Sequence, residues 1–290
     1  MEIKKATGVI EKFDKSKLIN SLLKAGAGKD IAISIANNIE EKCVIDCINC
    51  PTTTEYVYKT AFRQLKQYSK VGALKFSLKR SLLELGPTGF PFEEFLAELY
   101  RAEGYSAITG QNLYGQCVPH EVDVVAWKKD ELLLIEAKHH SDAGSRTDLK
   151  TVLYVKARFD DLRDVSFTPD SFKYNHIEDT SNMPTRMTKG VLITNTYFSE
   201  TATTYALCQG VSICSFYYPE GDSLESRIIE HKLYPITCLT SITTPEKRVL
   251  LDAGYIHCRG LYKHSFELEK YGFSKQKIFN ILDEVSGLLQ

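Results

Sequence analysis

The sequence predicts a multidomain chain: a small α+β segment, then an α/β segment, then a short helical module. Three observations carry this expectation. Two short β-prone segments between residues 3 and 11 lead into helical apolar periodicity that runs to residue 82. Two longer β-prone segments, 120–127 and 131–138, and an apolar run at 191–194 are interleaved with helical stretches. The cluster Gly86-Pro87-Thr88-Gly89-Phe90-Pro91 breaks either pattern and marks a boundary. The implied domains are 1–86, 90–233 and 234–290.

Composition narrows the function classes. A formal net charge of −1 does not advertise a protein that coats nucleic acid, so any such partner would have to be met by local patches. Charged residues follow Met1 at once, and no stretch approaches the length of a membrane span. A cytoplasmic protein without membrane contact is expected. The eight cysteines are scattered, which suits free thiols in a reducing compartment better than a disulfide framework.

In the first domain, Ile3-Lys4-Lys5 and Gly8-Val9-Ile10-Glu11 flank Ala6-Thr7 as a small hairpin. Asp14 or Ser16 can cap a helix carrying Leu18, Ile19, Leu22 and Leu23, which ends at Ala25-Gly26-Ala27-Gly28. Further helices carry Ile31, Ile35, Ile39 and Cys43, then Tyr56, Ala61, Phe62 and Leu65, then Val71, Leu74, Leu78 and Leu82. Gly26-Ala27-Gly28-Lys29 lacks the spacing of a phosphate loop and follows a helix. Cys43, Cys47 and Cys50 have no fourth ligand at zinc spacing and read as structural.

In the second domain, a helix from Phe92 sets Phe92, Phe95, Leu96, Leu99 and Tyr100 on one stripe, with Glu93, Glu94 and Glu98 beside them. Residues 107–113 read as a strand, 147–162 as a helix, 191–194 as a core strand, 199–209 as a helix and 211–215 as a strand. Lys150, Lys156, Arg158 and Arg163 suit a phosphate backbone and an ordinary solvated face equally well. Residues 165–188, with His176, Glu178, Asp179 and Arg186, show no periodicity and have no assigned place. In the third domain, Thr244-Pro245 opens a short helix that Gly254 stops, and Ser274 caps a last helix with Ile278, Ile281, Leu282, Val285 and Leu288.

The chemistry concentrates on the paired segments His120–Trp127 and Glu131–Lys138. A two-residue turn at Lys129-Asp130 would pair Trp127 with Leu132, Asp123 with Glu136 and Glu121 with Lys138. Alternation puts Glu121 and Asp123 on one face and Glu136 and Lys138 on one face. Opposed carboxylates repel and call for compensation. A divalent cation would supply it, since Mg²⁺ takes one or two carboxylates plus water and phosphate oxygens. A cross-strand salt bridge on a solvated face is the plainer reading.

Asp123, twelve intervening residues and Glu136-Ala137-Lys138 resemble the D…ExK signature of the PD-(D/E)XK nucleases. Leu134–His140 resembles the Mrr-like restriction endonuclease branch, as do Phe92–Tyr100 with Gly104-Tyr105, and Lys189–Asn195 with 199–213. Glu121 stands where many members have glycine. The resemblance implies a restriction-endonuclease-like α/β core with a mixed sheet that cleaves DNA, with RNA left open. It implies Mg²⁺ or Mn²⁺ on Asp123, Glu136 and the Ala137 carbonyl, Lys138 at the attacking water or phosphoryl oxygen, and Glu93 approaching the metals. Glu93 also reads as a first-turn acid suited to the helix dipole. His139 and His140 could orient phosphate or water, or be structural.

Lys4-Lys5, Gly8, Phe13-Asp14, Lys17-Leu18 and a late helix with Val71, Ala73, Phe76 and Arg80 resemble the ATP-cone, a regulatory nucleotide-binding domain. That resemblance implies ATP or dATP as an effector, with Lys4, Lys5 and Lys17 on the phosphates and Phe13 against the base. A helical domain with a solvated basic rim is the plainer alternative. The combined reading is a metal-dependent endonuclease under nucleotide control in restriction or defence. The competing reading is a nucleotide-responsive DNA-binding regulator with an inactive nuclease fold. Cutting both strands needs two sites, which makes a homodimer one expected assembly.

Overall fold

The computed structural model describes residues 2–5, 8–46, 52–173 and 183–290, with 43–46 by backbone alone. Ala6-Thr7, the three cysteines considered for zinc, and His176, Glu178 and Asp179 lie outside the described residues or side chains. The chain divides into two compact units. One comprises 1–81, 142–144 and 234–290, and the other 82–141 and 145–233.

The first unit opens with β1 (Glu2–Lys4), antiparallel to β2 (Ile10–Lys12) and parallel to β3 (Thr52–Thr53). Asp14 Oδ1 accepts from the backbone N–H of Ser16 at 3.0 Å and caps α1 (Lys15–Lys24). Next come α2 (Lys29–Asp46) and α3 (Thr54–Tyr68). Leu22, Ile35, Ile39, Ala61 and Leu65 close the core between them. The fourth expected helix is two, α4 (Lys70–Phe76) and α5 (Leu78–Leu83). At the break the Ser77 hydroxyl donates to the Leu74 carbonyl at 2.7 Å, a side-chain bond that competes with the helical ladder.

The second unit starts with α6 (Phe90–Ala102) and the strands β4 (Ser106–Tyr114), β5 (Pro119–Lys128) and β6 (Glu131–Lys138). Then follow β7 (Arg146–Thr147), α7 (Leu149–Arg163), β8 (Lys189–Thr194), β9 (Tyr197–Phe198), α8 (Glu200–Cys208), β10 (Ser212–Cys214) and α9 (Leu224–Glu230). The main sheet has the order β10-β8-β6-β5-β4. Its β4–β5 and β5–β6 pairs are antiparallel, while β6–β8 and β8–β10 are parallel, so the sheet is mixed. The β5–β6 turn has the expected two residues: Lys128 pairs with Glu131 and Trp127 with Leu132, and Lys129 takes φ +35°.

Alternation sorts the sheet. Val125, Trp127, Leu132 and Leu134 pack with Val152, Val155 and Phe159 of α7. The alternate set, including Val124 and Ile135, lies on the other face, and α6 packs on β4, β5 and β6. Part of 165–188 belongs to the core: Phe167 and Phe172 are buried in the α7 cluster, with Met183 and Met187 packed against it. Four apolar residues spaced irregularly gave no periodic signal. The short helix α9, capped by Ser223, was not foreseen in the sequence either.

Asp161 of α7 anchors the β4–β5 connection. Its carboxylate meets His120 Nε2 at 2.7 Å and accepts from the backbone N–H of Cys117 at 2.8 Å and Val118 at 3.3 Å. The His120 contact, above the other bonds, holds the carboxyl down from 3.8 to about 2. A depressed carboxylate stabilises the fold above its unfolded pKa and loses that contribution as pH falls through the folded value. The melting-temperature gap between wild type and Asp161→Asn is therefore expected to be full at pH 6 and to close between about pH 4 and pH 2.

The last segment returns to the first unit with α10 (Thr244–Asp252), α11 (Cys258–Lys263) and α12 (Lys275–Leu289). The cap of α10 is Thr243, one residue before the expected Thr244, because Glu246 reaches back to the Thr243 N–H at 2.6 Å. Ser274 caps α12 as expected. Gly287 lets α12 lie against α4, since a Cβ there would stand 2.5 Å from Val71 Cγ2. Among the described residues no helix is long and apolar enough to cross a membrane.

Candidate active site

The sheet is interrupted at one place, and Asp123 sits there. The β4–β5 ladder pairs Thr109 with Val124 and Gln111 with Val122, skipping the pair that Gly110 and Asp123 would make. Gly110 takes φ +60°, a left-handed conformation that glycine adopts without steric cost. On the other side, the β5–β6 ladder stops at Val124 with Ile135. The expected pairs Asp123–Glu136 and Glu121–Lys138 are therefore not ladder pairs. Instead the Asp123 carboxylate accepts the Ala137 N–H at 2.7 Å. A charged acceptor outcompetes a neutral carbonyl for that donor, and β5 and β6 part there. Local breaks of this kind re-aim side chains beside active sites.

Glu136, Ala137 and Lys138 end β6. Burial, then the charges of Asp123, Glu121 and Glu94, push the Glu93 carboxyl up to about 7. Burial also raises Asp123 and brings Glu136 to about 7, with Asp123 the second cause at Glu136. Lys138, exposed at the strand end, acts the other way on both. The structure thus brings together the four residues expected from the sequence to carry the chemistry. Glu94 is drawn aside by a hydrogen bond from the Thr109 hydroxyl, next to Gly110.

Arg158 also enters the site. The sequence groups it with residues that suit a phosphate backbone or a solvated face, but its side chain is buried and donates from Nη1 to Glu136 Oε2. Its spacing was the signal: Arg158 follows Val152 and Val155 at helical intervals, on the face that buries Leu162. Elsewhere in that group, Lys156 and Arg163 pair with Asp160. His139 is structural. Its Nε2 meets the Leu82 carbonyl at 3.0 Å, its ring lies 5.5 Å from that of Phe92, and burial holds its pKa down. His140 Nε2 meets the Thr147 hydroxyl at 3.1 Å.

Among the described residues no three His, Cys, Asp or Glu side chains form a ready-made metal cluster. The donors expected there are the Asp123 and Glu136 carboxylates with the Ala137 carbonyl. Half-buried carboxylates of this hard-oxygen type fit a divalent cation that keeps water and takes phosphate oxygens. A cavity of about 490 Å³ in the same unit, lined by Tyr100, Glu103, Tyr105, Lys128, Leu133 and Arg227 among others, includes none of these carboxylates.

The residues expected to bind nucleotide lie in the first unit. Lys4 is exposed on β1, and Lys5 Nζ pairs with Glu11 at 2.6 Å. Phe13 packs against the core, and Lys17 Nζ stands 3.8 Å from Asp14 in α1.

Residues 86–175 match the model of a restriction endonuclease family (Mrr_cat), a span that contains Glu93, Asp123, Glu136 and Lys138. Residues 234–289 match the AF1548-like C-terminal family. A solved structure described as a protein of unknown function, AF1548, shares the fold at TM-score 0.53 and 29% identity, over 70% of this chain and 98% of that one. An uncharacterized protein of Archaeoglobus fulgidus is 31% identical over 195 residues, 67% of this chain and 99% of its own length. The chain belongs to the AF1548-like family. Within that family framework, the mixed sheet with α6 and α7 is a restriction-endonuclease-like core, and a helical module follows it.

Proposed function

We propose that this protein is a metal-dependent endonuclease that hydrolyses phosphodiester bonds in DNA. The observation that carries the reading is that Asp123, at a break in the sheet, bonds the backbone of Ala137 between Glu136 and Lys138, inside the segment that matches the restriction endonuclease family. Asp123, Glu136 and the Ala137 carbonyl would hold Mg²⁺ or Mn²⁺. When bound, such a cation supplies Lewis acidity at a phosphoryl oxygen and makes water a better nucleophile. The chain's own groups do the rest. Lys138 orients the attacking water and offsets the negative charge that develops on the phosphoryl oxygens. Glu93, with a pKa near neutrality, can take up the proton that the water releases.

The same reading includes control by ATP or dATP. The ion pair Lys17–Asp14 is exposed and Lys5–Glu11 is half-exposed, and surface pairs contribute about 0–1 kcal/mol, so a polyphosphate can replace them. The 142–144 turn belongs to the first unit and follows Lys138 closely in sequence, which supports coupling through the chain. A cytoplasmic homodimer acting in restriction or defence completes the proposal.

The test incubates supercoiled plasmid with the protein and Mg²⁺ or Mn²⁺, with and without ATP or dATP, beside Asp123→Ala and Lys138→Ala. Cleavage that needs metal and is lost in both variants is expected, at a rate that changes at saturating nucleotide. DNA bound without a cut, metal present, would favour the regulator reading. Equal rates at zero and saturating nucleotide would remove the control and leave the nuclease. Parallel reactions on RNA decide the nucleic acid.

A further inference from the structure

Arg158 is a buried charge placed against one of the proposed metal ligands. It is 9% exposed. Nη1 donates to Glu136 Oε2, and Nη2 donates to the Tyr154 hydroxyl at 2.9 Å. The guanidinium lies 4.9 Å from the centroid of the Tyr154 ring. Its Nε is buried with no hydrogen-bond partner. An arginine cannot give up its proton in a protein, so this positive charge is permanent. A buried donor left without an acceptor is costly, so the pose does not exhaust what Arg158 could bind. Glu136 cannot give the same oxygen to a guanidinium and to a dication, and the two cations repel at that range.

We propose that Arg158 is the built-in counter-ion of Glu136, a positioning residue that holds this carboxylate in place and that a divalent cation must displace. The inference rests on the metal-dependent reading above. It sets two effects of opposite sign on one residue. Loss of Arg158 removes a competitor, so metal binds more tightly. Loss of Arg158 also removes the brace on Glu136, so the carboxylate is less well aimed and turnover falls. A residue that merely supported the fold would weaken both.

The test is Mn²⁺ titration of the full-length protein, followed by loss of the free-ion signal in electron paramagnetic resonance. It compares wild type, Asp123→Ala, Arg158→Met and Arg158→Lys, with circular dichroism to confirm folding. Wild type is expected to bind, and Asp123→Ala to bind more weakly. Arg158→Met is expected to bind Mn²⁺ about tenfold more tightly or more, while cleaving plasmid more slowly. Arg158→Lys keeps the charge but has no fork, and is expected to tighten binding about two- to threefold. If Arg158→Met does not fold, Arg158→Lys decides in the same sense. Mn²⁺ binding that needs Asp123 but is unchanged or weaker in the folded Arg158 variants overturns this inference alone. No binding by wild type, or binding indifferent to Asp123→Ala, overturns the metal reading and this inference with it.

Discussion

Asp123→Asn is expected to lower plasmid cleavage by about 10²–10³-fold or more while leaving the melting temperature unchanged or raised. The amide keeps an oxygen that can accept the Ala137 N–H, the bond that holds this side chain at the break in the sheet. What it removes is a negative charge that burial, above all, and the charge of Glu121 penalise, against the favourable pull of the Ala137 N–H, Arg158 and Lys138. Catalysis loses a ligand while the fold loses a repulsion, so the two readouts move apart. Lys138→Met is expected to reduce the rate comparably, with kcat and kcat/KM falling together, because its charge is needed when charge develops in the transition state. A rise in KM alone would place Lys138 in ground-state DNA binding. Thermal melts run beside the kinetics are decisive. A large fall in melting temperature for Asp123→Asn would make the carboxylate structural, and the assignment of the site would fail with it.

Much of this site was legible in the sequence because strand geometry is rigid. Once Lys129-Asp130 is a two-residue turn, the pairing of Trp127 with Leu132 follows, and so does the neighbourhood of Asp123 and Glu136. The parting of β5 from β6 was not legible. It arises when the Asp123 side chain takes a backbone donor from the opposite strand, an outcome that period-two alternation does not encode. Gly110 held a partial signal, since an isolated glycine within a strand marks a bulge or a close approach. Arg158 had a clearer one, a charge at an apolar helical position. The cap at Ser274 in the third domain was readable from residue type alone, and in the first domain Asp14 was one of two candidates. The break at Ser77 was not readable, because apolar spacing continues through it from Leu74 to Leu78 and Leu82.

The largest stability effect is expected from Glu103, far in sequence from the catalytic strands. Arg227 of α9 donates from Nε to Glu103 Oε1 at 2.7 Å and from Nη2 to Oε2 at 2.9 Å, while its guanidinium lies 4.7 Å from the centroid of the Tyr100 ring. Both side chains are largely buried, at 9% and 17% exposure. The fork joins the residue that follows α6 to α9, whose N-terminus is also tied by backbone bonds to Ser215 and Phe216. Glu103→Ala would leave a permanent positive charge in a low-dielectric setting with no carboxylate opposite. That loss is expected to cost about 3–5 kcal/mol, read as a lower denaturation midpoint in urea. The pair as a whole is a different matter, because ion desolvation offsets much of its attraction. Glu103→Leu combined with Arg227→Met should recover most of the loss seen in Glu103→Ala. A double substitution as unstable as the single one would mean that α9 depends on the bidentate fork itself, and that apolar contact cannot hold it to α6.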